Sequence, residues 1–502
     1  MKKWFLCLIT LAAVFLGDSG VFAREICYKE IELGMPKTYP ISEIRLAGEQ
    51  DELADRLAAG WRAMDENIDV MGLELYVEDF EEISDRYVRI LFDENPELYY
   101  VDTTWLGYSY YPDDGLIVSL CPRYTEIEQD AVNAMLSAID DATCEILWKI
   151  DEDMSDFEKV MTVHDYMVLH YAYDESLVEN TIRIMVSKTG VCQSYAIAFN
   201  HLMNQLGIPS TFVTSNEMKH GWNLVQIEGE WYHIDLTWDD PVADKFAQVR
   251  HTYALLSSEA IQNLPDKHYG FDLAGLEADS TLYDKADWRD NTAAIVFCDG
   301  MCYWVEDDHI MREDGEKIYN DLDGGDRKWN VTETQYFPSG LYAGLAAYND
   351  RLYFNTDTAI CVYDPKTNKV ESLQEIVGVC GLFIDQNELN YCKYHGDSQR
   401  FLKAGSVTLE ECNHRQVILH SDNHTVTGYA DAHREGNEIV VELHKKTNDV
   451  VRVISFSNTG CQTKDITDAG DSEVTFQAGE TQTLFFWDEN LRPLCPKAVI
   501  NQ

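Results

Sequence analysis

Three side chains of this sequence, Cys192, His220 and Asp235, are of the types that nucleophilic acyl chemistry requires. A cysteine attacks a carbonyl carbon as its thiolate, so it needs a base, and the base needs an acid to orient it. Cys192 follows Thr189-Gly190-Val191 and opens a stretch in which Ala196, Phe199, Leu202, Met203 and Leu206 recur at helical spacing. Gly207 is well placed to end that helix. A cysteine at a helix N-terminus sits in the positive end of the macrodipole, which favours the thiolate. The backbone N–H groups left free there can cradle a developing oxyanion. The competing reading is a buried structural cysteine.

The histidine and the aspartate are brought together by a hairpin. After His220 comes the apolar run Gly221 to Ile227, then Glu228-Gly229, which suits a two-residue loop, and Glu230 starts the return strand. That register sets Ile227 against Glu230 and Trp222 against Asp235. His220 and Asp235 then become diagonal neighbours on one face. Diagonal Cβ atoms lie about 7–8 Å apart or a little less, near enough for an imidazole to reach a carboxylate. A three-residue loop without a bulge would put the two on opposite faces. Taken singly, His220 also reads as an ordinary surface or core histidine, and Asp235 as a turn or solvent-facing acid.

Three ordered blocks carry a resemblance. They are Gly190-Val191-Cys192-Gln193-Ser194-Tyr195-Ala196, His220-Gly221-Trp222-Asn223, and Trp231 to Pro241 with Asp235-Leu236-Thr237-Trp238-Asp239-Asp240 at its centre. Together they resemble the signature of the transglutaminase-like superfamily, over roughly residues 140–260. His251 to Ser257 is similar to a segment that often closes bacterial members. The resemblance implies a papain-like α+β core in which the cysteine helix packs on an antiparallel sheet. It implies Cys192 as nucleophile, His220 as base and Asp235 as third member. The implied chemistry is acyl transfer on protein or peptide amides through a thioester, ending on an amine or on water, with no cofactor and no metal. Gln193 and Tyr195 are candidates to hold an oxyanion or orient substrate. Trp222 and Trp238 are candidates to line a substrate groove, with core packing an equally open role. The alternatives are a cysteine peptidase of the same fold, or a non-catalytic extracellular adhesion or scaffold protein.

Around this core the expected architecture is multidomain. Residues 24–125 read as a small α/β domain: Glu52 to Met64 and Glu78 to Phe92 have helical periodicity, Asn95-Pro96 stops the second, and a hairpin turns at Pro112-Asp113-Asp114-Gly115. Residues 126–275 hold the catalytic core, with helices over Glu126–Lys149, Asp156–Tyr171 and Cys192–Leu206 and strands over Ser210–Thr214, Gly221–Ile227 and Glu230–Thr237. In residues 285–413 helical periodicity fades. Three loosely similar units, Ala293–Trp304, Leu345–Val362 and Leu382–Tyr394, suggest a partial propeller-like β region. Residues 414–502 fit a small β-sandwich, ending in a segment, Leu484 to Leu494, that resembles the end of β modules in secreted bacterial proteins. These C-terminal all-β modules are expected to bind a cell-surface protein or carbohydrate.

Composition sets the context. The chain has 502 residues, 45% hydrophobic and 25% charged, which is the balance of a globular protein with several cores. Lys2-Lys3, the apolar run Trp4–Leu16 and Val21-Phe22-Ala23 read as a secretion signal with cleavage after Ala23, and no later stretch is apolar for long enough to span a bilayer. The formal charge of −49 argues against nucleic acid and anionic membranes as partners. The 13 cysteines show no dense paired spacing and no zinc-finger spacing. Asp321 to Asp326 hints at a calcium loop, but it lacks the bidentate acid of an EF-hand and reads as a solvated turn.

Overall fold

The computed structural model of the chain describes residues 24–33 and 51–500, apart from short stretches of which 241–246 and 323–342 are the longest. The expected leader at 1–23 and the acidic turn at 321–326, Leu322 aside, lie outside the described residues. Helix α1 (Glu52–Ala63) starts where the Asp51 carboxylate accepts the N–H groups of Leu53 and Ala54 at 3.0 and 3.1 Å. Helix α2 (Phe80–Arg89) runs on into a π turn, Ile90–Glu94. Asn95 closes that turn, since its backbone N–H and its side-chain amide both donate to the Ile90 carbonyl at 3.1 Å. These helices accompany a four-stranded antiparallel sheet of β1 (Cys27–Glu32), β2 (Ile68–Asp69), β3 (Val101–Tyr110) and β4 (Ile117–Tyr124), in the order β1-β3-β4-β2.

The next elements hold the candidate site. They are α3 (Gln129–Leu147), α4 (Asp156–His170), the short β5 (Ala172–Tyr173), α5 (Ile184–Ser187) and β6 (Thr189–Gly190), then α6 (Cys192–Leu206). A three-stranded antiparallel sheet follows, β7 (Ser210–Ser215), β8 (His220–Ile227) and β9 (Glu230–Ile234), with helical turns α7 (Leu236–Asp239) and α8 (Ser258–Asn263) beyond it. Ser155 opens α4 with a reciprocal cap to Glu158. Helix α6 ends at Gly207, whose φ of +70° lets Ile208 N–H reach the Met203 carbonyl at 3.0 Å.

Residues 51–124 and 129–255 share one hydrophobic core. Leu57, Trp61 and Tyr87 from the first belong to the same buried cluster as Phe199, Leu202 and Val225 from the second. Phe92 in the π turn stacks on Phe212 in β7 at 5.9 Å. Position 125 therefore separates two sheets but not two cores. Beyond residue 290 each of the three loosely similar units falls in its own small antiparallel sheet, at 296–320, 345–375 and 382–408. Two four-stranded sheets built from 414–500 then face each other, and Val417, Leu443, Val453 and Phe486 fill the space between them. Among the described residues no helix is long and apolar enough to cross a membrane.

Candidate active site

The β8–β9 hairpin has the register read from its turn residues: Ile227 pairs with Glu230, Val225 with Tyr232 and Asn223 with Ile234. Glu228 and Gly229 both take positive φ, +51° and +89°, as a tight two-residue loop demands. The return strand is shorter than expected. It stops at Ile234 because the Asp235 side chain accepts the Trp238 N–H at 3.1 Å and starts α7 in place of a longer strand. Asp235 thus serves as a helix cap through Oδ1, and its Oδ2 is left to face His220.

His220 Nε2 donates to Asp235 Oδ2 at 2.6 Å. The other side of the ring meets the Cys192 thiol, to which the Gly221 N–H also donates. Cys192 occupies the first turn of α6 and is only partly buried. His220 and Asp235 are 7% and 1% exposed, so little water competes for their charges. Burial works against the charged ring of His220, but the Asp235 carboxylate outweighs it and pushes the imidazole up to about 10. Burial also raises the Cys192 thiol. The hydrogen bond and charge of His220 more than offset this and hold the thiol below its ordinary value. Asp235 stays ionised for the same reason: His220 and His268 overcome its burial and keep it well below the usual carboxylate range. Two indoles flank the ring, Trp222 nearly parallel at 5.7 Å and Trp238 tilted at 5.5 Å, and aromatic faces favour a cation.

A polar frame ties these elements together. Asn223 on β8 donates its amide to the Ala196 carbonyl at 3.1 Å and to Asn200 Oδ1 at 2.8 Å, fixing the hairpin against α6. Asn200 Nδ2 in turn donates to Asp93 Oδ1, in the π turn, at 2.9 Å. On the other flank His164 in α4 bridges Asp165 at 2.8 Å and Asp239 at 3.2 Å. Burial opposes its charge, but the two carboxylates push His164 up to about 9, so it is a buried imidazolium. Asp239 also accepts the Tyr253 N–H at 3.0 Å, so the turn that carries Asp235 is anchored to α4. Among the described residues, His164 with Asp165 and His251, and His220 with Asp235 and His268, bring three potential metal ligands within 4.8 Å. In both groups the nitrogens touch the carboxylate oxygen at 2.6–2.9 Å. Ligands around a tetrahedral ion stand about 3.3 Å apart, so both groups are hydrogen-bond networks as they stand.

The other sequence candidates are placed as follows. Gln193 is buried beside the nucleophile, 9% exposed. Tyr195 is buried, and its hydroxyl donates to Asp240. Trp222 is buried, and its indole N–H donates to His233 Nδ1 at 3.0 Å. That bond makes His233 an acceptor at Nδ1 and a donor from Nε2 to Ser258 Oγ at 3.1 Å. Burial, helped by His268, pushes His233 down to about 3 and keeps it neutral. Trp238 is half-buried and packs on both His220 and His268. Sequence reasoning missed His268. Its Nε2 lies 2.7 Å from the same Asp235 oxygen that His220 uses. It comes from an irregular segment after α8, where no periodicity or spacing singles it out.

Residues 148–236, which contain Cys192, His220 and Asp235, match the model of the transglutaminase-like superfamily. Kyphoscoliosis peptidase of Mus musculus is 24% identical over 137 residues, 22% of this chain and 21% of its own length. The Homo sapiens protein is 23% identical over 150 residues, 25% of this chain and 22% of its own. The chain therefore spans about a fifth of the length of these curated relatives. A solved structure described as a TGase is similar at 14% identity and a TM-score of 0.19, covering 25% of this chain and 42% of that one.

Proposed function

The chain carries a transglutaminase-like core at residues 148–236, and from that premise we propose that it is a cysteine-dependent acyl transferase or hydrolase acting on protein or peptide amides. The observation that carries this reading is the line Cys192–His220–Asp235, with the thiol at the N-terminal turn of α6 and the carboxylate 2.6 Å from the far side of the imidazole. Cys192 Sγ attacks the amide carbonyl carbon, and the α6 N-terminus faces the oxygen on which charge develops. His220 gives its Nδ1 proton to the departing nitrogen, the C–N bond breaks, and a thioester remains on Cys192. Neutral His220 then takes a proton from the incoming amine or water, which attacks the thioester and frees the thiol. An amine gives a new amide, and water gives deamidation or peptide cleavage.

The setting belongs to the same proposal. The chain is exported after cleavage behind Ala23, its substrate is a protein or peptide, and the β modules hold it on a cell-surface protein or carbohydrate. To test the chemistry, the purified protein and its Cys192→Ala variant are incubated with a glutamine-rich protein and a labelled primary amine. Label incorporation identifies transamidation, ammonia release without incorporation identifies deamidation, and new amino termini identify proteolysis. Equal results from the two proteins in all three readouts would retire the reading.

A further inference from the structure

We propose that His268 is a positioning residue of this site, holding the Asp235 carboxylate in place independently of His220. The inference rests on the acyl-transfer reading above. Asp235 Oδ1 is held by the Trp238 N–H at 3.1 Å, and Oδ2 is shared between His220 Nε2 at 2.6 Å and His268 Nε2 at 2.7 Å. A nitrogen that close to a carboxylate oxygen carries the proton, so His268 is a donor there. During the reaction His220 loses its Nδ1 proton and with it the charge that draws it to Asp235. A carboxylate held at Oδ2 by His220 alone would slacken at that moment. His268 keeps its own bond throughout, so Asp235 remains aimed to receive the imidazole when it recharges.

The segment around His268 is built to deliver this one ring. The His268 N–H donates to the Ile261 carbonyl at 3.1 Å, the Tyr253 hydroxyl donates to the Asp266 carbonyl at 2.9 Å, and Phe271 makes a bridge to Ser215. The imidazole is clasped by Trp238 at 4.3 Å, Trp222 at 4.7 Å and Tyr253 at 5.3 Å. It is fully buried, yet its Nδ1 has no hydrogen-bond partner. An apolar ring would fill the space without stranding a polar atom. What the imidazole adds, and phenylalanine would not, is the bond to Oδ2. His268 also lies outside the span 148–236, so a site defined by that match alone is incomplete here.

The test compares wild type, His220→Ala, His268→Phe and His268→Gln in two readouts at pH 7: the rate of Cys192 alkylation by iodoacetamide, and acyl transfer. His268→Phe is expected to lower both by about tenfold, the scale of one lost hydrogen bond to a charged group. His268→Gln, which keeps an amide N–H able to reach Oδ2, is expected to recover most of the loss. Recovery by Gln is what a packing role would not produce. In wild-type protein with labelled histidine, proton NMR is expected to show strongly hydrogen-bonded Nε2–H signals for both His220 and His268. That readout stands even if the Phe variant fails to fold. Wild-type reactivity in His268→Phe, equal losses in Phe and Gln, or an absent His268 signal would each overturn the proposal. If wild type and His220→Ala alkylate alike, the acyl-transfer reading itself falls, and this inference falls with it.

Discussion

Asp235→Asn isolates the carboxylate's electrostatic role, because asparagine keeps the size of the side chain and an oxygen that can still cap Trp238. In the native site the imidazole of His220 moves from 6.5 to about 10, a preference for the charged ring worth roughly 5 kcal/mol. Asp235 supplies the largest favourable part, while burial opposes it. With the anion gone and the burial unchanged, the ring is expected to be neutral at pH 7 and the proton to return to Cys192. A thiol with its ordinary value of 9.0 is about 1% thiolate at pH 7. Alkylation of Cys192 at pH 7 should therefore fall, by at most about two orders of magnitude. The shape of the profile should change too. Wild type, whose thiol is held below its ordinary value, is expected to react faster and to rise less steeply from pH 6 to 8, whereas the variant should gain about tenfold per pH unit over the same range. Peptide mass spectrometry of timed iodoacetamide quenches measures both. A flat, fast profile in Asp235→Asn would refute the argument that this carboxylate supports a thiolate–imidazolium pair.

The remaining predictions concern the frame. Asp93 is pushed up to about 7 by burial, against Arg89 and its hydrogen bonds. A carboxyl raised in the fold stabilises below its unfolded value and loses that contribution as pH rises through 7, so Asp93→Asn should gain stability over wild type between pH 4 and 7, by at most about 1.4 kcal/mol per unit. Urea denaturation across that range measures it, and a constant difference would contradict the argument. His164, raised to about 9, contributes stability that is complete below 6.5 and lost as pH climbs through 9. His164→Asn should thus be most destabilising at pH 6 and least at pH 10 by the same assay. Trp222→Phe removes the indole donor to His233 Nδ1 and should lose about 1–3 kcal/mol by leaving a buried acceptor unpaired. A neutral result would mean that His233 finds another donor.

Local chemistry made much of the site legible in the sequence. The loop Glu228-Gly229 set the hairpin register, and the register brought His220 to Asp235. The apolar stripe from Ala196 to Leu206, with Gly207 after it, located the cysteine helix. What escaped was non-local. Asp235 as a cap looks like the last turns of a strand until the Trp238 N–H is seen bonded to it. His268 meets Asp235 across 33 residues, a distance that no local period encodes. The shared core was also hidden, since Phe92 and Phe212 lie in segments that each read as complete elements. The buried pairing of His164 with Asp239 was likewise hidden, because partners 75 residues apart carry no local sign.

The π turn at Ile90–Glu94 gives the N-terminal segment a stake in the chemistry. Asp93 reaches across to Asn200 and Thr211, and the Asn204 amide reaches back to the Asp93 carbonyl. The helix that presents Cys192 is therefore propped from behind by residues that precede the transglutaminase-like span, with β3, β4 and α3 in between. A fragment trimmed to 148–236 would expose the faces of Phe199 and Phe212 and lose the brace under Asn200. The helix of the nucleophile and residues 51–124 share one core, so a proteolytic nick in the N-terminal sheet is expected to lower the reactivity of a cysteine far from the cut.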